Sequence, residues 1–114
     1  MSIEFEDLKE NVRRINIAGR LDILGTDEIA IKFTALACAD NRRLIVDLTG
    51  VSFLASIGIR AIISNAKALQ QRGGRMILFV GDNDSVIKTL ETTGIDTVLP
   101  IFRDMTAASE AALA

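Results

Sequence analysis

Residues able to do chemistry are few in this chain, and most of them lack the neighbours their chemistry needs. There is no histidine, so the commonest general base and metal ligand is missing. The lone Cys38 permits neither an intramolecular disulfide nor a thiolate zinc site. No G-x-G-x-x-G follows an apolar run and no G-x-x-x-x-G-K-[ST] occurs, so the usual phosphate cradles are absent. Ser64-Asn65-Ala66-Lys67 matches S-x-x-K but has no S-D-N or K-T-G companion. Asp82-Asn83-Asp84 opens like a calcium loop, yet its twelfth position is Thr93 rather than Glu. Asn83-Asp84-Ser85 is a formal glycosylation sequon without a secretion signal to give it meaning. An enzyme is not expected, and neither a cofactor nor a metal.

One hydroxyl stands apart. Ser56 follows the stretch Asp47-Leu48-Thr49-Gly50-Val51-Ser52-Phe53-Leu54-Ala55 and precedes an amphipathic run. From local physics alone, Ser at the start of a helix is a good N-cap, contributing about 1 kcal/mol.

The elements that must position Ser56 read as follows. Ile3/Phe5 and Ile15/Ile17 alternate over Ile3–Glu6 and Val12–Ala18, which suits two strands paired as an antiparallel hairpin. Gly19-Arg20-Leu21-Asp22 reads as a turn, and Thr26-Asp27-Glu28 as the opening of a helix with a capping hydroxyl. Ile29, Phe33, Leu36 and Ala37 give that helix an apolar face, with Cys38 a buried thiol among its alanines. Leu44–Leu48 and Met76–Val80 are nearly unbroken apolar runs, as expected of strands buried on both faces of a parallel sheet. Between them, Ile59, Ile62, Ile63, Ala66 and Leu69 mark the inner stripe of a helix over Ile57–Arg72, ended by Gly73-Gly74. Asn83 and Asp84 cap a third helix that closes at Gly94. Thr97–Ile101 reads as a last edge strand because of Pro100, and Asp104–Leu113 as a final helix. The order β-β-α-β-α-β-α-β-α predicts an α/β fold, a mixed sheet with about four helices on it, in one domain spanning residues 1–114.

Composition removes further classes of function. Net charge is −2 with pI near 5.1, so no electrostatic footprint for nucleic acid is expected. Five Phe, no Trp and no Tyr supply no stacking platform for single strands. The segment Met1 to Lys9 is acidic and alternating, unlike a signal peptide. No apolar run reaches the ~20 residues of a membrane span. A cytoplasmic protein without direct membrane insertion is the expectation.

The whole arrangement resembles the STAS domain, and within it the anti-sigma factor antagonist branch. That family's signature D-L-[ST]-x-V-x-F-[ML]-D-S-[ST]-G-L is matched by Asp47-Leu48-Thr49-Gly50-Val51-Ser52-Phe53-Leu54-Ala55-Ser56-Ile57-Gly58-Ile59. Gly19-Arg20-Leu21-Asp22, Gly73-Gly74 and Thr93-Gly94-Ile95 match three further landmarks at the right spacing. The resemblance implies that Ser56 is phosphorylated by a GHKL-type serine protein kinase that is also an anti-sigma factor. It implies that the unphosphorylated domain binds this partner, that phosphorylation releases it, and that a PP2C-type phosphatase resets the cycle. The implied partner surface comprises Asp22, Ala55, Ser56, Ile57, Gly58 and Arg60, on a domain that is monomeric when free. Gly58 is expected where the partner or a neighbouring element approaches closely. Two departures from the pattern matter: Ala55 stands where the family has Asp, and Ile57 where it has Ser or Thr. An accessory STAS subunit of a lipid-transport or signalling complex, without phosphorylation, is the second reading.

Overall fold

The computed structural model describes residues 1–8 and 11–114. The polar turn expected between the first two strands falls partly on Lys9 and Glu10, outside the described residues. Five strands, β1 (Ser2–Asp7), β2 (Val12–Leu21), β3 (Arg43–Leu54), β4 (Arg75–Phe79) and β5 (Ile101–Phe102), form one sheet in the order β1-β2-β3-β4-β5. β1 runs antiparallel to β2 and every other neighbouring pair is parallel. The helices are α1 (Ile23–Ala37), α2 (Ser56–Gln71), α3 (Asp84–Thr93) and α4 (Met105–Leu113), with a 3-10 turn at Ile95–Thr97.

The sheet is covered on both faces, which explains the continuous apolar run of β3. Leu44, Val46 and Leu48 join Ile29 and Phe33 of α1, Ile62 and Leu69 of α2 and Leu90 of α3 in the larger core. Ile45 and Ile77 face the other way and meet Ala108 and Ala112 of α4. In α2 the expected stripe is the buried one: Ile59, Ile62, Ala66 and Leu69 are inside, Ile63 packs at its edge, and Arg60, Ser64, Lys67 and Gln71 are exposed. Each large aliphatic side chain so buried contributes ~1.5–3 kcal/mol relative to exposure. Asp47 is buried on the α4 side of β3 and fully paired, accepting from Arg14 Nη2 at 2.5 Å, Thr49 N at 2.9 Å and Thr49 Oγ1 at 2.7 Å.

Several local expectations are corrected. Val51, Phe53 and Leu54, beyond the strand expected over Leu44–Leu48, belong to β3, because β2 follows it through two register shifts and pairs Gly19 with Val51, Arg20 with Phe53 and Leu21 with Leu54. The shifts break the period-two pattern, so sequence periodicity loses the strand at Leu48. Gly19–Asp22 is accordingly the end of β2 and the cap of α1 rather than a free turn. Helix α1 starts at Ile23 instead of Thr26: Asp22 Oδ1 accepts from Gly25 N at 2.8 Å, and Thr26, in the next turn, is buried with its hydroxyl unpartnered. Cys38 is the half-buried C-cap of α1 rather than a core thiol. The segment before β5 turns through a 3-10 helix, leaving only Ile101 and Phe102 as the edge strand. Asn83 caps α3 and Gly94 ends it in the left-handed conformation, as expected.

Candidate functional site

Ser56 stands where β3 delivers the chain into α2. The Ala55 N–H donates to Leu21 O at 3.0 Å, so this junction is fastened to the end of β2. Ala55 has the extended backbone of an N-cap (φ −89°, ψ 168°) but no side chain to cap with. Ser56 is therefore the first helical residue and not the cap that local physics suggested. The first intrahelical bond runs from Ile59 N to Ala55 O at 3.1 Å. Thus the N–H groups of Ser56, Ile57 and Gly58 precede the helical ladder, and no acid occupies the first turn. The Ser56 side chain is exposed, and among the described residues its hydroxyl makes no hydrogen bond.

An open N-cap is a testable deficit. Replacing Ala55 by Asp supplies an acceptor for those N–H groups and a charge favourable to the helix dipole. Ala55→Asp is expected to stabilise the domain by about 1 kcal/mol, raising the melting temperature by a few degrees. An unchanged or lower melting temperature would mean that these N–H groups are already satisfied.

The other expected partner-surface residues divide. Asp22, Ala55, Ile57 and Arg60 lie at the surface around Ser56. Gly58 does not: it is buried, and a Cβ built on it would lie 2.9 Å from Leu21 Cβ and 3.0 Å from Leu21 O. The close approach is therefore made by β2 of the same chain, and Gly58 shapes the surface from beneath. Asp22 holds the start of α1, and its Oδ2 accepts from Arg20 Nε at 3.3 Å. The Gly25 N–H, and after it Arg20, keeps the Asp22 carboxyl below the usual carboxylate range. A carboxyl lowered on folding contributes stability above its unfolded pKa of about 3.9, lost as pH falls through the folded value. Asn also caps well but does not titrate there, so Asp22→Asn is expected to flatten the fall of melting temperature below about pH 4. Equal slopes for the two proteins would remove Asp22 from the acid response.

Three residues not anticipated from sequence complete the surface. Ile23 and Leu24, on the first turn of α1, are 74% and 75% exposed. Phe53 is also exposed, with the Arg20 guanidinium 4.5 Å from its ring centroid. Together with Ile57 they place four large apolar side chains around the Ser56 junction. A groove of about 450 Å³ runs between the first turns of α1 and α2, lined by Ile23, Leu24, Thr26, Asp27, Ile57 and Arg60 among others. Reading Asp22 as an N-cap would have put Ile23 and Leu24 at the exposed start of α1.

A family model described as STAS domain matches residues 7–108. The chain belongs to the STAS domain family. Over 101 residues it is 27% identical to an anti-sigma-B factor antagonist of Listeria monocytogenes, covering 89% of this chain and 88% of that one. The crystal structure of an anti-sigma factor antagonist from Mycobacterium paratuberculosis superposes with a TM-score of 0.86 at 21% identity, covering 99% of this chain and 94% of that one. The Bacillus cell fate determinant SpoIIAA in its phosphorylated form superposes with a TM-score of 0.68 at 18% identity, covering 96% of this chain and 99% of that one. At such identities the two structures establish a shared fold. The Listeria relative is named for antagonising a factor, not for a reaction. No described helix is long and apolar enough to cross a membrane.

Proposed function

We propose that this STAS domain is a cytoplasmic anti-sigma factor antagonist that works by partner switching, with Ser56 as the switched residue. Carrying the reading is one observation: an exposed, unpaired Ser56 hydroxyl at an uncapped helix start, set among the exposed apolar side chains of Ile23, Leu24, Phe53 and Ile57. Apolar groups gathered on one face of a small domain favour a protein partner. The partner is a GHKL-type serine kinase that doubles as anti-sigma factor, and it docks on the monomeric domain over Asp22, Ala55, Ser56, Ile57 and Arg60.

In the switching step Ser56 Oγ attacks the γ-phosphorus of ATP on the kinase, ADP leaves, and the hydroxyl proton passes to a base of the kinase. The phosphate brings between one and two negative charges. Its oxygens sit beside the free N–H groups of Ser56, Ile57 and Gly58, where the helix dipole favours them. The fold therefore tolerates what the apolar docking surface does not. A PP2C-type phosphatase reverses the change by hydrolysis, returning the hydroxyl and inorganic phosphate.

Affinity capture from cell extract with paired Ser56→Ala and Ser56→Asp baits, followed by phosphorylation with the captured kinase and ATP, tests the proposal. Expected are a kinase-like anti-sigma factor held by the Ala bait and lost from the Asp bait, and one phosphate mapped to Ser56 of the unaltered chain. Equal retention by both baits, or no phosphate on Ser56, would instead support the constitutive accessory subunit.

A further inference from the structure

Two guanidinium groups stand at the surface around Ser56, and contacts within the domain occupy only one of them. Arg20 donates from Nε to Asp22 Oδ2 at 3.3 Å and lies over the Phe53 ring, 4.5 Å from its centroid. Arg60 is exposed and, among the described residues, makes neither a salt bridge nor a side-chain hydrogen bond. Asp27 lines the same groove from the α1 side without pairing with it. An unpaired surface cation is ordinary by itself, and Lys32, Lys67 and Lys88 are others. What sets Arg60 apart is its place relative to Ser56.

Ser56 is the first residue of α2 and Arg60 the fifth. Residues four apart are neighbours on a helix surface, with Cβ atoms about 5–6 Å from one another. An anion followed four residues later by a cation is the favourable order, because it also agrees with the helix dipole. Both side chains lie on the exposed face, while Gly58, Ile59 and Ile62 of the same turns face the core. An arginine side chain spans that separation, and its planar fork matches two oxygens of a phosphate. No acid stands in the first turn of α2. The neighbouring position, where the family signature has Asp, is Ala55, so the carboxylate that would repel a phosphate there is missing.

From the four-residue spacing, the shared exposed face and the acid-free helix start, we infer that Arg60 holds the phosphate of the chain phosphorylated at Ser56, as its paired hydrogen-bond partner. The inference rests on Ser56 being the switched residue. It adds a second change to the switch. In the unphosphorylated domain Arg60 belongs to the surface offered to the anti-sigma factor. Phosphorylation turns it back along α2, so one modification both brings negative charge to the docking surface and withdraws a cation from it.

The test uses the full chain with phosphoserine incorporated at position 56 during translation, so that no kinase has to be found first. Its phosphorus resonance is followed across the second phosphate pKa of about 6, in this chain and with Arg60→Gln, Arg60→Lys or Lys67→Gln added. Arg60 is exposed and unbonded, so its replacement leaves the core intact. Pairing favours the dianion, so Arg60→Gln is expected to raise that pKa by about half a unit, a roughly threefold gain in proton affinity. Arg60→Lys keeps the charge but loses the fork, and should fall between the two. The N–H groups of the helix start remain in every variant and cancel in the comparison. Lys67 is eleven residues further on, ~16 Å along the helix axis at about 1.5 Å per residue. Screening over about 8 Å at physiological ionic strength should leave the Lys67→Gln curve unshifted. Coincident curves for the phosphorylated chain and its Arg60→Gln variant would overturn the inference. An equal rise with Lys67→Gln would do the same, because the cause would then be the general field of the surface. The two readings fail separately: a kinase that leaves Ser56 unmodified removes the switch, whereas the phosphorus titration decides whether Arg60 holds a phosphate placed there.

Discussion

Ser56→Asp is expected to weaken binding of the kinase partner at least a hundredfold while leaving the melting temperature within a few degrees of the unaltered protein. The two effects separate because the surroundings of Ser56 differ in the free and bound states. In the free domain the new carboxylate enters the first turn of α2, where three N–H groups lie ahead of the helical ladder and no other acid is present. A negative charge there is favourable by ~0.3–1 kcal/mol. In the complex the same charge must lose water among Phe53, Ile57, Ile23 and Leu24. An uncompensated buried charge costs about 3 kcal/mol or more, which is a factor of at least ~100 in affinity. Ser56→Ala serves as the control: among the described residues the hydroxyl makes no hydrogen bond, and it is not the cap, so neither stability nor binding should change much. Titration calorimetry with the captured kinase, paired with thermal melts, reads both quantities. Matched affinities for the Asp and Ala variants would sink the switch, and a collapsed melt for Asp would show that the helix start cannot take the charge.

The second large effect falls on the fold. Gly25→Ala is expected to destabilise the domain by about 3 kcal/mol or more, because a Cβ at this position would lie 1.8 Å from the carbonyl oxygen of Arg20. That partner is backbone, so no side chain can rotate aside, and overpacking against it exceeds the usual ~1–3 kcal/mol. Relief requires the first turn of α1 to withdraw from the end of β2. That movement would break the Asp22–Gly25 cap and displace Ile23 and Leu24 from the Ser56 surface. Gly58→Ala follows the same logic with a smaller cost, since its nearest contacts, Leu21 Cβ at 2.9 Å and Leu21 O at 3.0 Å, need a shift of only tenths of an ångström. Denaturant melts of the two variants should rank Gly25→Ala well below Gly58→Ala. The reverse order would mean that α1 adjusts at its start more freely than its contacts with β2 allow.

These two glycines show where sequence reading stops. Neither stands at a positive φ; in the sequence Gly25 carries no signal of its own, and Gly58 reads as a point of close approach by the partner or a neighbouring element. Only the packed chain shows that both admit β2, whose last residues the register shifts carry alongside Phe53 and Leu54. Such shifts leave no periodic trace, so the second half of β3 was illegible too. So was the true start of α1, since a capping Asp and a capping Thr four residues apart look alike until one of them is buried.

What the sequence determined by itself was the order of elements, the mixed sheet, the inner stripe of α2 and the position of Ser56 at a strand-to-helix junction. These depend on hydrophobic periodicity and on motifs contiguous in the chain, which survive in one dimension. The tertiary structure decided what surrounds that serine. It put Ala55 rather than Ser56 at the cap, sank Gly58 beneath Leu21 and brought Ile23 and Leu24 of α1 to the side of Ile57. Contacts between segments distant in sequence depend on how the faces of helices and strands meet, and that is settled only when the core closes.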